Sequence, residues 1–565
     1  MKLERGQIIE CIDFNNNDVN HELIDIQSIS KSSELGVYDL ETETGFFQDD
    51  FGIFHKQCSS HSLEYIKKYG LELDNLDSKS SPAKHARTLS VHLNSFLSSM
   101  QAYYAGALGV AYVNIMYAPY VDGMSDDEMY QEAQHLIFQA SQNAFTRGGQ
   151  SIFLDFNIHT GIPGYLKNIK AIGPGGKHTG KTYGDYEESA LRFTYAMLKV
   201  WGEGDATGTP MAFPKCDFHI NEETFKDAKQ KKVFDYACGI ASKNGVVYFI
   251  FDRDEVTLSA CCRLRTTISD NYMIDHPESL RFCGFQNVTI NLPQCAYRAG
   301  KGNMEGFYRE LDAVFATCIK AHLDKKSFVS RIMGNPGMPL WQVGKIAKDG
   351  RPYIDLDKAT YIIGVIGLNE CLHYLIGKEL HEDESTLWVG IRAISYLYFL
   401  AKEAEQKYGL KFSLEESPAE SASRRLAKID LYNFKNDAIV RGTGDQVYYT
   451  NSIHLRPDIN IDLLTRIIWQ AKFHKIIESG AIIHAFVGEK MPSAKSISNM
   501  VQKAFKNTDA AQLTISPEFT ICKKCGKTRI GLNNSCQYCG AFNVYGVEFG
   551  KFTGAEWDVS KLLGK

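Results

Sequence analysis

The chain lacks the long apolar stretches that would carry a polypeptide into or across a membrane. No run approaches about 18 uncharged apolar residues, so we expect no transmembrane helix. The N-terminal segment, MKLERGQIIECIDFNNN, has no apolar core of a secretory signal. An excess of either charge is also missing, because 62 basic and 67 acidic residues leave a formal net charge of −5. We therefore expect neither a nucleic-acid-binding surface nor a membrane-binding one.

Cysteine is plentiful, although nothing in the sequence predicts export to an oxidising compartment. The 565 residues include 14 cysteines. In a reducing compartment, thiols serve metal binding or redox chemistry rather than structural bridging. We therefore expect a cytoplasmic protein with functional thiols. With 44% hydrophobic and 23% charged residues, the chain has ordinary globular composition and enough apolar material for a large core.

Two Cys-x-x-Cys pairs near the C-terminus form the most specific local motif. The first pair is Cys522 and Cys525, and the second is Cys536 and Cys539. Each pair can place two sulfurs on one tight turn, and two such turns provide the four thiolates of a tetrahedral zinc site. Two disulfides are the alternative, which a reducing compartment disfavours. Four protein ligands leave no open position on the metal, so the spacing predicts a structural zinc ribbon.

Strand-like segments alternate with long helical patterns, which is typical of an α/β fold. The strand-like segments include FLDFNI, VVYFIFD and NVTINLP. One helix is predicted over residues 124–144, with Ser125 as its N-cap before an acidic first turn. Another is predicted over residues 304–324, and residues 355–410 are predicted to form two helices with an apolar face.

A glycine-rich loop over residues 171–186 carries two lysines. The backbone N–H groups of Gly175 and Gly176, together with Lys177 or Lys181, could hold a phosphate. A lone glycine-rich loop is weak evidence for a P-loop. A purely structural turn is the alternative, and the sequence leaves both interpretations open.

The segment over residues 256–293 concentrates thiols. Cys261 and Cys262 are adjacent and are followed at once by Arg263, and Cys283 comes later in the same segment. An apolar, β-branched run then completes it. We interpret the segment as a loop that carries a reactive cysteine and is returned to the core by a buried strand.

Residues 1–57 are polar and strand-like, and their end resembles the C-terminal half of an intein. The resemblance rests on a VYDL strand, an aromatic pair, and an apolar strand that ends at Gln57 before Cys58. In inteins a terminal Asn or Gln cyclises onto its own backbone carbonyl and releases the next residue, which accepted the acyl chain. The resemblance implies that Gln57 cyclises and Cys58 begins the product, with Lys56 in place of the usual histidine.

Splicing is expected in trans, with an upstream fragment, since no N-terminal intein half is present. An ordinary small β-domain or leader is the alternative for residues 1–57.

From Cys58 to about Trp557 the chain resembles the anaerobic, class III ribonucleoside-triphosphate reductases, which are glycyl radical enzymes. The stretches that carry the resemblance are Cys58–Leu63, Ala102–Gly109, Arg147–Gln150, Ala171–Tyr186, Cys261–Arg263, Asn287–Pro293 and the two Cys-x-x-Cys pairs. The resemblance implies an α/β fold of the glycyl radical type, with a ten-stranded barrel over residues 58–515. It implies a zinc ribbon and radical segment over residues 516–565, after a small all-β intein remnant over residues 1–57. The early part of the catalytic domain would come from the upstream fragment.

The resemblance also implies the chemistry of the thiols. In this family a glycyl radical, installed by a radical S-adenosylmethionine activase, takes a hydrogen atom from a cysteine inside the barrel. The thiyl abstracts the 3′-hydrogen of the ribonucleotide, water leaves from C2′, and a reductant restores the deoxy sugar. Cys262 matches the thiyl position, and Cys58 matches a second active-site cysteine. Cys283 stands where formate-using members carry Asn, which favours a thiol reductant such as a redoxin.

The radical glycine is best matched by Gly550, with Gly554 as the alternative. The resemblance further implies ribonucleoside triphosphates as substrates, with Asn287 among the residues that bind them. Deoxyribonucleotides and ATP are the expected effectors, and a homodimer is the expected assembly. Two other functions stay open, a glycyl radical enzyme with a non-nucleotide substrate and a non-catalytic product of a split gene.

Overall fold

A computed structural model describes most of the chain. The described residues are 8–13, 20–25, 58–104, 106–144, 151–253, 256–260, 264–268, 270–417, 420–488, 491–522, 524–525, 527–531, 533–542 and 544–547. Several sequence predictions lie outside them, namely the intein motif with Lys56 and Gln57, the cysteine loop at residues 261–263, and the radical segment with Gly550 and Gly554.

The chain divides into two units, Met1–His55 and Lys56–Lys565. In the first unit, two strands pair antiparallel with Ile8 opposite Asp25. In chain order, the described strands are β1 Ile8–Asp13, β2 Asn20–Asp25, β3 Cys58–Ser62, β4 Leu108–Ala111, β5 Leu154–His159, β6 Lys170–Ile172, β7 His178–Thr182, β8 Lys215–Ile220, β9 Val247–Phe251, β10 Thr257–Ala260, β11 Leu264–Thr267, β12 Arg281–Asn291, β13 Thr360–Ile366, β14 Lys411–Glu416, β15 Ile483–Gly488, β16 Gln512–Pro517, β17 Phe519–Cys522, β18 Thr528–Ile530 and β19 Val544–Val547.

Ten strands of the second unit form one mixed sheet in the order β14-β13-β12-β3-β4-β5-β8-β9-β16-β15. The central block, β3-β4-β5-β8-β9, is parallel throughout. The flanking strands join it through antiparallel pairs, β12 with β3 and β16 with β9. The α/β class and the ten-stranded sheet are therefore confirmed.

Two backbone hydrogen bonds connect the ends of this strand order. The Glu416 N–H donates to Gly480 O at 2.9 Å, and the Ser479 N–H donates to Leu414 O at 3.0 Å. Because β14 ends at Glu416 and residues 479–480 lead into β15, the bonds hold the two edges of the sheet close together.

The helices connect and cover these strands. The described α-helices are α1 Leu63–Tyr69, α2 Ala86–Met100, α3 Val113–Val121, α4 Asp126–Ser141, α5 Gly164–Lys167, α6 Glu187–Glu203, α7 Glu222–Lys226, α8 Ala228–Asn244, α9 Asn271–Asp275, α10 Leu292–Ala299, α11 Met304–Met333, α12 Trp341–Gly344, α13 Leu368–Ile376, α14 Glu384–Tyr408, α15 Glu420–Asn433, α16 Leu463–His474 and α17 Ala494–Asn507. Within the described residues, none of them combines the length and the apolar character that crossing a bilayer requires.

Helix α4 begins as its sequence predicts. Ser125 accepts a hydrogen bond from the Glu128 N–H, and the Glu128 carboxylate accepts one from the Ser125 N–H at 2.8 Å. This capping box satisfies two N–H groups that a helix start would otherwise leave unpaired. α11 also begins where predicted, at Met304, but it continues to Met333.

The prediction of two helices over residues 355–410 is wrong in its first part. Thr360–Ile366 forms β13, and the helix α13 begins only at Leu368. All seven residues of β13 are buried, and parallel neighbours pair with it along both edges. A strand buried on both faces has no polar alternation, so its sequence is hard to distinguish from that of a buried helix.

Candidate functional site

A short hairpin brings the predicted cysteine segment into the core. Strands β10 and β11 pair antiparallel, with Ala260 opposite Leu264. The three residues between them in sequence, 261–263, lie outside the described residues. All four residues of β10 are fully buried. The chain therefore enters the predicted reactive loop from a position that water does not reach.

The hairpin is fixed to the central block of the sheet by Asn157 on β5. The Ser259 N–H donates to Asn157 Oδ1 at 2.8 Å, and Asn157 Nδ2 donates to Ser259 O at 2.9 Å. On β4, a Cβ added at Gly109 would lie 2.6 Å from Ser259 O and 3.0 Å from Ser60 Oγ, so only glycine allows the hairpin to approach. We call the side of the sheet defined by Ser60, Gly109 and Asn157 the hairpin face.

The predicted cysteines Cys58 and Cys283 lie on neighbouring strands but point to opposite sides of the sheet. In the antiparallel pair of β3 and β12, Cys58 is opposite Gly284 and Cys283 is opposite Ser59. Opposite residues share a face, and successive residues alternate. Cys58 lies two residues before Ser60, so its side chain points to the hairpin face. Cys283 points to the other side.

The surroundings of Cys283 do not favour a reactive thiol. The side chain is buried, and burial raises the pKa of the Cys283 thiol to about 12, although nearby Lys325 acts in the opposite direction. Burial also lowers the pKa of Lys325 to about 8. Cys58 is partly exposed. The structure thus brings Cys58, and not Cys283, to the side of the sheet that holds the hairpin.

The hairpin face is polar along β5 and β8. Lys215 lies 3.1 Å from the carboxylate of Asp217 and 3.4 Å from that of Asp155, and all three side chains are almost fully buried. Charges are rarely removed from water without a functional or pairing reason. Sequence reasoning missed these residues, although the signal is visible. In LDFNIH and KCDFHI, polar residues alternate with apolar ones in strands that are otherwise entirely buried.

Two histidines lie farther along the same strands. His159 and His219 are opposite each other in the β5–β8 pair, and their rings stack with centroids 4.4 Å apart. His219 Nδ1 lies 2.9 Å from a carboxylate oxygen of Asp252, and its Nε2 lies 2.9 Å from Asn157 Oδ1. The same asparagine therefore contacts both the hairpin and the histidine pair.

The predicted phosphate loop forms a tight hairpin between β6 and β7. Gly175 and Gly176 both have positive φ, and their N–H groups donate to Ala83 O and Gly173 O. A Cβ at Gly176 would lie 2.9 Å from the Lys68 carbonyl oxygen. The two N–H groups are thus already used within the protein, which favours the structural-turn interpretation.

Both lysines of that loop are exposed. Lys181 lies 3.8 Å from a carboxylate oxygen of Asp122, and its ammonium group stands over the ring of Tyr186. Lys177 is also exposed. The two lysines therefore offer positive charge for an anion at the surface, but the N–H groups of Gly175 and Gly176 are not free to bind it.

Asn287, predicted to bind substrate, lies on β12 and is partly exposed. Its Nδ2 donates to a carboxylate oxygen of Glu415 on β14, and its Oδ1 accepts from the Thr289 hydroxyl at 3.0 Å. These bonds set the orientation of the amide in a polar group that joins β12 to β14.

The four cysteines of the C-terminal motif come together beside a small three-stranded sheet, β18-β17-β19. The Sγ atoms of Cys522 and Cys539 are 3.6 Å apart, and those of Cys525 and Cys536 are 3.5 Å apart. A disulfide would need about 2.05 Å. Four thiolates around zinc, with bonds of about 2.3 Å, are separated by roughly 3.8 Å. The residues therefore fit a tetrahedral zinc site.

Comparison with known proteins identifies the family. A model of the anaerobic ribonucleoside-triphosphate reductase family matches residues 41–548. The anaerobic ribonucleoside-triphosphate reductase of enterobacteria phage T4 is 21% identical over 475 residues, which are 76% of this chain and 72% of the phage protein. That of Haemophilus influenzae is 28% identical over 211 residues, which are 35% of this chain and 28% of that protein.

A solved structure shows the same fold. The anaerobic ribonucleotide reductase from Thermotoga maritima, in complex with dATP and CTP, has a TM-score of 0.66 at 20% identity. The likeness covers 88% of this chain and 80% of that chain. The family match extends across the ten-stranded sheet, the β10–β11 hairpin and the four-cysteine group. The chain therefore belongs to the anaerobic ribonucleoside-triphosphate reductase family, and anaerobic ribonucleotide reduction is the function that this membership assigns to it.

Proposed function

We propose that this chain reduces ribonucleoside triphosphates to 2′-deoxyribonucleoside triphosphates by glycyl and thiyl radical chemistry, with Cys262 as the thiyl residue. One observation carries the proposal. The buried strand β10, which leads directly into Cys261 and Cys262, is held against the face of the sheet to which Cys58 points. A thiyl must be shielded from water, and a fully buried entry strand serves that need.

In the proposed reaction, Cys262 gives the hydrogen atom of its thiol to the Gly550 Cα radical. The Cys262 thiyl takes the 3′-hydrogen of the ribose, and the 2′-hydroxyl takes a proton and leaves as water. Two electrons and a proton from a reductant then complete the sugar, and Cys262 returns a hydrogen atom to C3′. Cys58 is the second active-site thiol. The backbone radical on Gly550 is supplied beforehand by a radical S-adenosylmethionine activase.

Anaerobic activation followed by electron paramagnetic resonance tests this assignment. The activated chain should show a glycyl doublet, and Gly550→Ala should abolish it while Gly554→Ala leaves it unchanged. A doublet that persists in Gly550→Ala and disappears in Gly554→Ala would move the radical to Gly554. Absence of any doublet after activation would contradict radical catalysis.

Two classes of reductant fit this reaction, formate and a thiol pair such as that of a redoxin. The substitution of Cys283 for Asn supports the thiol pair, whereas the opposite orientations of Cys58 and Cys283 show no ready partner for Cys58 on β12. We propose a thiol reductant that acts at Cys58. Product formation with reduced redoxin but not with formate is the expected result.

The nucleotide partners of this chain are inferred from a related protein of known structure. The Thermotoga maritima protein was solved with dATP and CTP, and we propose a deoxyribonucleotide effector and a ribonucleotide substrate for this chain as well. Lys177 and Lys181 supply exposed charge for a phosphate, and Asn287 supplies an oriented amide. The edge-to-edge bonds at Glu416 and Ser479 support closure of the ten strands into the barrel that surrounds the site. A homodimer is the proposed assembly.

The four C-terminal cysteines are proposed to hold a structural Zn²⁺. The sulfur separations support it, and the four ligands fill the tetrahedral positions. The four cysteines would close a small ribbon within residues 516–565, which are proposed to contain both the ribbon and the radical segment.

Residues 1–57 are proposed to be the C-terminal half of an intein that splices in trans before Cys58. The division of the chain at His55 and Lys56 supports a boundary there. The family match, by contrast, begins at residue 41. Co-expression with an upstream half should give a joined product that is absent in Gln57→Ala. If co-expression of the wild-type chain with the upstream half gives neither cleavage nor a joined product, residues 1–57 are an ordinary β-domain and the proposal is contradicted.

A further inference from the structure

We propose that His159, His219 and Asp252 form a second metal site, which binds a divalent transition-metal ion through two imidazoles and one carboxylate. The three residues come from the carboxyl ends of the neighbouring parallel strands β5, β8 and β9. One ligand atom of each lies within 4.8 Å of those of the other two. Ligand atoms bound at about 2.1 Å to one tetrahedral ion lie roughly 3.4 Å apart, so the three side chains would move inward on binding.

The hydrogen bonds of Asn157 determine which nitrogen of His219 is available. The Ser259 backbone fixes the amide orientation, because its N–H must donate to Oδ1 and its carbonyl must accept from Nδ2. Asn157 Oδ1 therefore accepts from His219 Nε2, which must carry a proton. In the neutral ring, the lone pair then lies on Nδ1 and faces the Asp252 carboxylate 2.9 Å away.

Two acceptors that face each other need a positive charge between them. Either His219 is an imidazolium paired with Asp252, or a cation lies between the ring nitrogen and the carboxylate. A histidine whose other N–H is held by an oxygen acceptor is the usual arrangement around a bound metal, because that bond sets the tautomer and the ring orientation.

His159 favours the second possibility. Its ring stacks on that of His219, and its Nε2 is buried without a hydrogen-bond partner among the residues that the structure describes. A buried imidazole nitrogen without a partner is costly, and an ion shared with Asp252 and His219 would satisfy it.

The donor set indicates the class of ion. Two imidazoles and one carboxylate suit Fe²⁺, Mn²⁺, Co²⁺ or Zn²⁺, whereas Mg²⁺ and Ca²⁺ prefer oxygen ligands. Three protein ligands leave further positions open to water or to a bound molecule. The site differs in chemistry from the four-thiolate group, and it does not rest on the proposed radical reaction.

Cobalt binding to the full-length chain under anaerobic conditions tests the proposal. We expect wild-type protein, stripped of metal, to bind Co²⁺ at a thiolate site with strong charge-transfer absorption and at a nitrogen–oxygen site with weak visible bands. Asp252→Asn and His159→Gln should each lose the weak bands and lower the cobalt content by one ion per chain. His178→Gln, which changes an exposed histidine on β7, should bind as wild type does.

The wild-type spectrum is decisive even if a variant is unstable. If wild-type protein binds cobalt through thiolates alone, the His219–Asp252 contact is an ordinary ion pair and the proposal is overturned. Retention of the second ion in both folded variants, checked by near-ultraviolet circular dichroism, would overturn it as well.

Discussion

Asn157 and Ser259 exchange two hydrogen bonds across 102 positions of sequence, with Ser259 N–H to Asn157 Oδ1 at 2.8 Å and Asn157 Nδ2 to Ser259 O at 2.9 Å. Both residues are fully buried. An asparagine side chain thus pairs with the backbone of Ser259 in addition to the partner strand β11. It places the strand that leads to Cys262 at a defined position on the hairpin face.

Removing this asparagine should impair the reaction more than it impairs folding. In Asn157→Ala the buried N–H and C=O of Ser259 lose their Asn157 partner, at a cost of about 1–3 kcal/mol for each group left unsatisfied. We expect turnover to fall at least tenfold, measured as deoxyribonucleotide formation after activation. Asn75→Ala removes a single, less buried side-chain bond to Ser99 O and should leave turnover unchanged. Equal activity in wild type and Asn157→Ala would show that the pair does not position the loop.

The two cysteines at the β3–β12 junction should differ in function and in reactivity. Cys58 points to the hairpin face, so Cys58→Ser should abolish thiol-dependent turnover. Cys283 points away and its thiol has a pKa of about 12, so it stays protonated at neutral pH. Cys283→Ser should therefore keep turnover within about twofold of wild type, since a buried thiol-to-hydroxyl change acts on stability first.

Alkylation checks the same point without a variant. Brief iodoacetamide treatment of the native chain, read by peptide mass spectrometry, should label Cys58 and spare Cys283. Loss of turnover in Cys283→Ser with an unchanged melting temperature would instead support the role that the resemblance implied for Cys283.

Stability should decrease as the pH falls, in part because of His61. This buried ring contacts the hydroxyls of Ser59 and Tyr353, each at 2.8 Å. Burial, assisted by Arg281, lowers the pKa of His61 to about 3. The unfolded chain, with an ordinary histidine pKa near 6.5, therefore binds more protons between pH 3 and 6.5. The contribution is complete above pH 6.5 and is lost as the pH decreases through that window.

Urea unfolding followed by tryptophan fluorescence measures this effect. Between pH 7 and pH 5, His61 should account for about 2 kcal/mol of the decrease in the free energy of unfolding. His61→Asn should show a correspondingly smaller pH dependence, whereas the exposed His178→Gln should show the wild-type dependence. Parallel pH profiles for wild type and His61→Asn would contradict the assignment.

Zinc should be bound by the C-terminal cysteines and by no other thiols of the described core. We expect Cys522→Ser to lose one zinc ion per chain, measured by inductively coupled plasma mass spectrometry, because three thiolates hold the ion less firmly. Cys318→Ser changes a buried cysteine of α11 and should keep the zinc. Full zinc occupancy in Cys522→Ser would mean that the four sulfurs do not form the site.

Local chemistry was predictable from the sequence, whereas long-range pairing was not. The spacing of Cys522, Cys525, Cys536 and Cys539 is sufficient to predict a four-thiolate zinc site. Ser125 and the acidic first turn after it are sufficient to predict the start of α4. The orientation of Cys283 depends on the register between β3 and β12, which are more than 200 residues apart. No local pattern reports that register.

The polar residues of the hairpin face were missed for a similar reason. Asn157, His159 and His219 lie in segments that were recognised as strands or passed over, and their alternation was visible. Their meaning arises only when β5, β8 and β9 lie side by side and place Asp252 next to His219. The helix predicted over β13 failed because a strand buried on both faces lacks the alternation that would distinguish it.

The most direct test of the account is ribonucleotide reduction by two single-thiol variants of the adjacent cysteines. After anaerobic activation, with reductant and a ribonucleoside triphosphate, Cys262→Ser should form no deoxyribonucleotide while it still shows the glycyl doublet. Cys261→Ser, the matched control one residue away, should form product at a rate within a few fold of wild type. Product formation by Cys262→Ser, or its loss in Cys261→Ser alone, would contradict the assignment of Cys262 as the thiyl residue.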